Sequence, residues 1–199
     1  DNEADVGSDP NTFENGADTI KTNGRNLTIS GADLVLGNID TSSELPATID
    51  IDEGGAIDSA SGQGNGGAIN LNAISGDILT GSLDASSIDH DGGNIEINAV
   101  GDITTAEIIT NSGEFVVEYG YTEQSNGSTG NAGNINIEST EGSIDTTTGS
   151  VFARSFSGYG GDITLSAQSG DINTTSVNSY SGEGNGGNIA LSAQSGDIN

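Results

Sequence analysis

Cysteine, methionine and tryptophan are absent from the 199 residues, and proline occurs only twice. Without cysteine there is no disulfide framework and no thiolate zinc site. Bases are almost missing too: 3 lysines and arginines stand against 30 acids, for a formal net charge of −27. A chain of that sign repels phosphate backbones, so no nucleic-acid partner is expected. No apolar run approaches the roughly 18 residues that a membrane helix needs, so membrane insertion is not expected either. Aromatics make up 4% and hydrophobic residues 31% of the chain, which is low for a packed globule. Few apolar residues must therefore be placed economically, or the chain does not fold.

What the sequence has instead is glycine, at 32 positions, and internal repetition. GGDITLSAQSGDIN at 160–173 returns as GGNIALSAQSGDIN at 186–199, identical at 12 of 14 positions and offset by 26 residues. Looser copies are GGAINLNAISGDIL from Gly66, GGNIEINAVGDITT from Gly92 and AGNINIESTEGSIDT from Ala132. An apolar–x–apolar pair marks each copy: Leu27/Ile29, Ile49/Ile51, Ile69/Leu71, Ile95/Ile97, Ile135/Ile137, Ile163/Leu165 and Ile189/Leu191. Within a copy the apolar period is two, as in Ile163, Leu165 and Ala167, which signals a strand with one buried face. A glycine recurs in the turn that follows, at Gly76, Gly101, Gly142, Gly170 and Gly196, and suggests a backbone position with positive φ. Short strands at a spacing of 20–28 residues, separated by polar corners, predict an all-β chain, a right-handed parallel β-helix or β-solenoid of about seven coils with one longer coil. Helical repeats would need a 3.6-residue period, and a propeller blade needs about 40–45 residues.

Residues 1–18 carry six acids and little apolar pattern, and read as an acidic loop or the tail of a preceding coil. Residues 19–199 read as solenoid. Because the last repeat stops partway, the solenoid is expected to be an excerpt of a longer repetitive chain. Its ends would then pair with further coils of the same chain or by end-to-end self-association. The longest coil carries an insertion within 106–131, with EFVVEYGY at 114–121. Phe115, Tyr119 and Tyr121 there are the candidate binding protrusion, since solenoid insertions emerge as loops on one face. The turn aspartates Asp77, Asp102, Asp171 and Asp197, with Ser143 interrupting them, are the candidate metal ligands. Stacked carboxylates at coil spacing repel, and Ca²⁺ prefers oxygen donors of this kind. The alternative is that each carboxylate accepts a hydrogen bond from its own turn. Asn94, Asn134 and Asn188, with Ala68 and Asp162 at the equivalent sites, are expected to satisfy turn amides by stacking. Threonines 80, 105, 146 and 174 form a partial ladder that would suit an ice- or mineral-binding face if it pointed outward. His90, between Asp89 and Asp91, reads as a solvated loop residue.

The run GGNIxLxAxSGDIxT, with loops such as SGEGNGG, resembles the repeat region of the filamentous haemagglutinin family. These are large β-helical surface proteins of bacteria, exported by two-partner secretion. NGRNLTIS, GNIDTSS and GNGGAINLNA are similar to repeats of cyanobacterial members, and the likeness covers about residues 20–199. The resemblance implies a right-handed parallel β-helix, an extracellular or cell-surface location, and a structural or adhesive role in a fibre, stalk or sheath. Cell-surface glycans are the implied binding partners. No catalytic residue and no required cofactor is expected, with Ca²⁺ the one candidate ion. The reading from another class is a carbohydrate-active β-helix enzyme of polysaccharide lyase or glycosidase type. It would need a defined carboxylate pair or basic residues, and the bases are limited to Lys21, Arg25, Arg154 and the single His90.

Overall fold

The computed structural model describes residues 12–15, 19–22, 24–42, 64–113, 115–118, 121–124 and 129–199. Among them there is no helix. Three sheets of six strands each run along the stack, and every strand-to-strand pairing in them is parallel. Sheet 1 contains Thr12–Asn15, Asp33–Leu36, Ile78–Leu79, Ile103–Thr104, Ile144–Thr146 and Ile172–Thr174. Sheet 2 contains Ile20–Lys21, Ile39–Asp40, Leu83–Asp84, Ile108–Ile109, Val151–Phe152 and Val177–Asn178. Sheet 3 holds the longest strands: Leu27–Gly31, Ile69–Ala73, Ile95–Ala99, Ile135–Ser139, Ile163–Ala167 and Ile189–Ala193. One strand from each sheet makes a rung, and the fold is a parallel β-solenoid, as the period-two pattern predicts.

The register is what keeps it together. Ile163 pairs with Ile189 and Leu165 with Leu191, and the same in-phase pairing runs back through Ile135/Ile137, Ile95/Ile97 and Ile69/Leu71 to Leu27/Ile29. A slip of one residue would turn every aliphatic side chain outward. Sheet 1 adds Leu34, Ile78, Ile103, Ile144 and Ile172 to the core, and sheet 2 adds Ile39, Leu83, Ile108 and Val151, all essentially inaccessible. Outward positions of sheet 3 are short and polar, for example Asn70, Glu96, Asn136 and Thr164.

Three expectations change. Leu27 pairs directly with Ile69, so the described residues make six rungs, with none between these two strands; Ile49 and Ile51 lie outside the described residues. Two coils are long rather than one, because 43–63 and 114–128 both fall between a sheet 2 strand and the next sheet 3 strand. The turn glycines do not owe their identity to positive φ, which among the described glycines occurs at Gly24 (74°) and Gly113 (101°). A side chain at Gly170 would instead meet the Gly142 carbonyl group at 2.5 Å; Gly142 and Gly196 are crowded by the backbone of their lower neighbours in the same way, and Gly101 by the Asp77 carboxylate. The stacking of one turn on the next requires glycine there. The threonine ladder also points inward. Thr80, Thr105 and Thr146 are buried, and the Thr146 hydroxyl donates to Thr174 Oγ1 at 2.9 Å, so this ladder presents no outer face.

Candidate functional site

The turn aspartates form one column up the rod. Asp33 stands in register below Asp77, followed by Asp102, Ser143, Asp171 and Asp197. Each side chain accepts a hydrogen bond from the backbone N–H of its counterpart one rung later: Asp102 N–H to Asp77 Oδ1 at 2.8 Å, Ser143 N–H to Asp102 Oδ1 at 2.7 Å, Asp171 N–H to Ser143 Oγ at 3.1 Å and Asp197 N–H to Asp171 Oδ1 at 2.8 Å. The partner is therefore the next turn rather than the residue's own turn. Of the candidate metal ligands, Asp77 and Asp102 occupy consecutive rungs, as do Asp171 and Asp197, with Ser143 between the pairs. Charged acceptors make such bonds stronger than neutral ones, which offsets part of the like-charge repulsion.

A second column stands at the start of sheet 3. Asn26 Oδ1 accepts from Ala68 N–H, Asn94 Oδ1 from Asn134 N–H, Asn134 Oδ1 from Asp162 N–H and Asp162 Oδ1 from Asn188 N–H, at 2.7–2.9 Å. A third lies on the corner between sheets 2 and 3, where Asp91 Oδ1 accepts from Asn131 N–H and Asn131 Oδ1 from Tyr159 N–H. Sequence reasoning placed the Asn94 column but missed Asp33 and the Asp91 column, whose spacing changes with each loop length.

It also missed a buried serine column, Ser87, Ser112, Ser155 and Ser181, joined by parallel bridges. Each hydroxyl donates to a carbonyl of the corner loop in the rung below: Gly64, His90, Gly130 and Gly158 respectively, at 2.6–2.8 Å. The same oxygen accepts from a loop N–H three residues later at Ser87, Ser155 and Ser181. In sequence each serine sits among several others, and only the recurring position three residues before a loop N–H marks it.

Both long insertions leave from this corner, two rungs apart. The later one contains an antiparallel hairpin, Phe115–Glu118 with Tyr121–Gln124, in which Phe115 faces Gln124 and Glu118 faces Tyr121. Phe115 and Tyr121 are thus on paired strands, while Tyr119 lies outside the described residues. The rung between the insertions carries the exposed His90, whose N–H and carbonyl are held by Ser87 and Ser112.

On the outer side of sheet 2, Lys21, Asp40 and Asp84 follow one another in register. Lys21 Nζ lies 3.2 Å from Asp40 Oδ2. Burial raises the pKa of the Asp84 carboxyl; Asp40 and Glu107 raise it further, and hydrogen bonds from Ser86 oppose them. Arg154 lies over the Phe152 ring, 3.9 Å from its centroid, and burial lowers the guanidinium pKa against the pull of Glu107.

Among the described residues no group of three or more His, Cys, Asp or Glu is gathered closely enough to hold a metal ion. The fold and its ladders define the class as a parallel β-solenoid. No protein-family model, curated protein or solved structure matches the chain.

Proposed function

We propose that this chain is a structural and adhesive segment of a secreted bacterial surface fibre, stalk or sheath, of the filamentous haemagglutinin kind. The observation that supports this reading most is the uniform three-sheet stack, in which Asx columns tie each turn to the next. Such a stack gains length by adding rungs, at about 4.8 Å each. Repulsion among its carboxylates keeps a sheet-rich rod apart from its neighbours. Further coils of the same chain, or a second copy docking end to end, are the proposed axial partners. Calcium bridging along the Asp77–Asp102 and Asp171–Asp197 pairs is proposed as a reinforcement of the rod.

The test is location and length together. Antibodies raised against the folded chain should label intact, unpermeabilised cells that make it. Duplicating residues 160–185 should lengthen the rod by one rung in small-angle scattering. Labelling only after lysis would overturn the surface role. An unchanged maximum dimension would overturn the additive-length role.

A further inference from the structure

Four aliphatic residues stand on the outside of the rod around the turns from sheet 3 to sheet 1, and the stack does not require them. Ile74 follows the strand Ile69–Ala73 and is 66% exposed. It stacks in a column with Val100, Thr140, Gln168 and Gln194, because the residues just before these, Ala73, Ala99, Ser139, Ala167 and Ala193, are paired in register. On the outer side of sheet 1, Val35 pairs with Leu79, which is 50% exposed, and that column continues as Thr104, Asp145 and Asn173. Both columns are aliphatic in the earlier rungs and polar in the later ones. The later rungs make the same turn with glutamine and the same strand position with threonine, aspartate or asparagine, so folding leaves these four side chains unexplained.

Two further features mark this face. Ile74 and Val100 line a groove of about 420 Å³ at the exit of sheet 3, beside Asn72, Asn98 and Glu138. Between the two aliphatic pairs runs the exposed row of Asp33, Asp77 and Asp102; Asp77 comes three residues after Ile74 and two before Leu79. Each of these carboxylates accepts the next rung's N–H on Oδ1, and a carboxylate has about four acceptor positions, so most of its capacity is left over.

We propose that this face docks a cationic segment of another protein, one that carries lysine or arginine between aliphatic residues. The carboxylate row calls for positive charge, and the aliphatic pairs on either side call for apolar contact. A neutral apolar partner would strip water from the carboxylates without replacing it. An anionic partner is repelled by the net charge of −27. A second copy of the chain cannot supply the cations, since it has 3 lysines and arginines among 199 residues.

The test is amide NMR of the ¹⁵N-labelled full chain at low ionic strength, titrated with the end-capped peptide LSKSLSKSL. Extended, this peptide places its leucines and lysines on one face. The amides of Ile74, Asp77, Leu79 and Asp102 should shift saturably, with a dissociation constant on the order of 0.1 mM. Those of Gln168 and Asp171, in the same turn without aliphatic neighbours, should stay in place. Exchanging the leucines of the peptide for serine should weaken binding about tenfold, and exchanging its lysines for glutamate should abolish it. Ile74→Gln combined with Val100→Gln gives this turn the residue of the later turns, and should weaken binding about tenfold while the melting temperature stays within a few degrees. Leu79→Thr, which copies Thr104, is the second variant and should act in the same direction. Equal binding of the leucine-free peptide would reduce the effect to the general field of the rod and overturn the proposal. So would an equal response at Asp171, unchanged affinity in both variants, or no saturable shift at all. Rod length and surface labelling are unaffected by any of these results, so the docking face and the fibre reading fail separately.

Discussion

Single residues in this rod answer to their neighbours one rung away more than to their neighbours in sequence. Gly170 illustrates it: a methyl group there collides with the backbone of Gly142, which cannot yield without opening the stack. Gly170→Ala is expected to destabilise the protein by about 2–3 kcal/mol, read as a lower urea midpoint. Ser155→Ala removes a donor to Gly130 and an acceptor for Gly158 in a buried site, and should cost about 1–3 kcal/mol. The outward Ser166→Ala should be near neutral by the same measurement. Asp84 contributes to the pH dependence. A carboxyl whose pKa is raised on folding takes up a proton as the chain folds. Its charge therefore costs stability at neutral pH; that cost shrinks as pH falls through the raised folded pKa and is gone below the unfolded carboxyl's value. Asp84→Asn keeps an acceptor for Ser86 and removes the repulsion by Asp40 and Glu107. It should raise stability at neutral pH, read as a higher urea midpoint, and the advantage should shrink as the solution is acidified. The recurring glycines were legible in the sequence as requirements, but for another reason: recurrence reveals that a side chain is forbidden, not whether dihedral angle or a stacked neighbour forbids it.

At the scale of elements, alternation was enough to predict the inward columns, because period two leaves only one buried face. Rung count was not. Ile49/Ile51 copies the apolar pair well, yet Leu27 and Ile69 are hydrogen-bonded partners, and no local pattern reveals which of two similar segments the next rung will choose. The hairpin Phe115–Glu118/Tyr121–Gln124 was legible as alternating aromatics in a coil too long for one circuit. Its exit corner became visible only when both insertions were placed between sheets 2 and 3. The inward threonines were unassignable for a similar reason, since short strands give too few residues to orient a face. Replacing 114–128 by a two-residue glycine–serine link should leave the fold intact, because Gly113 and Thr129 flank the corner as the ends of other corner loops do. Circular dichroism and a melting temperature within a few degrees of the parent would bear this out.

For the whole molecule, the excess of 27 negative charges on a narrow rod is the dominant long-range term. Raising NaCl from about 10 mM to about 150 mM shortens the screening length from roughly 30 Å to 8 Å and should raise the melting temperature. At matched ionic strength, a further rise in CaCl₂ that EDTA reverses would assign calcium to the aspartate column; equal melting points would leave those residues with their hydrogen-bonding role alone. The columns also have a direction. At each linked step the side-chain oxygen sits in the earlier rung and the N–H that uses it in the later one, as for Asp77 with Asp102 and Asn134 with Asp162. Each serine hydroxyl likewise reaches back to the rung before it. A rung that has formed therefore shows its successor a row of waiting acceptors, which water satisfies easily until the next turn arrives. The strand ladders run the other way, with Leu34 N–H donating to the Asp77 carbonyl and Ile78 N–H to the Asp102 carbonyl, so the direction belongs to the side-chain columns. Assembly thus has an arrow in time: a chain that is threaded out amino end first, whether from a ribosome or through a pore, can wind itself up turn by turn, with each turn a finished mould for the one still to emerge.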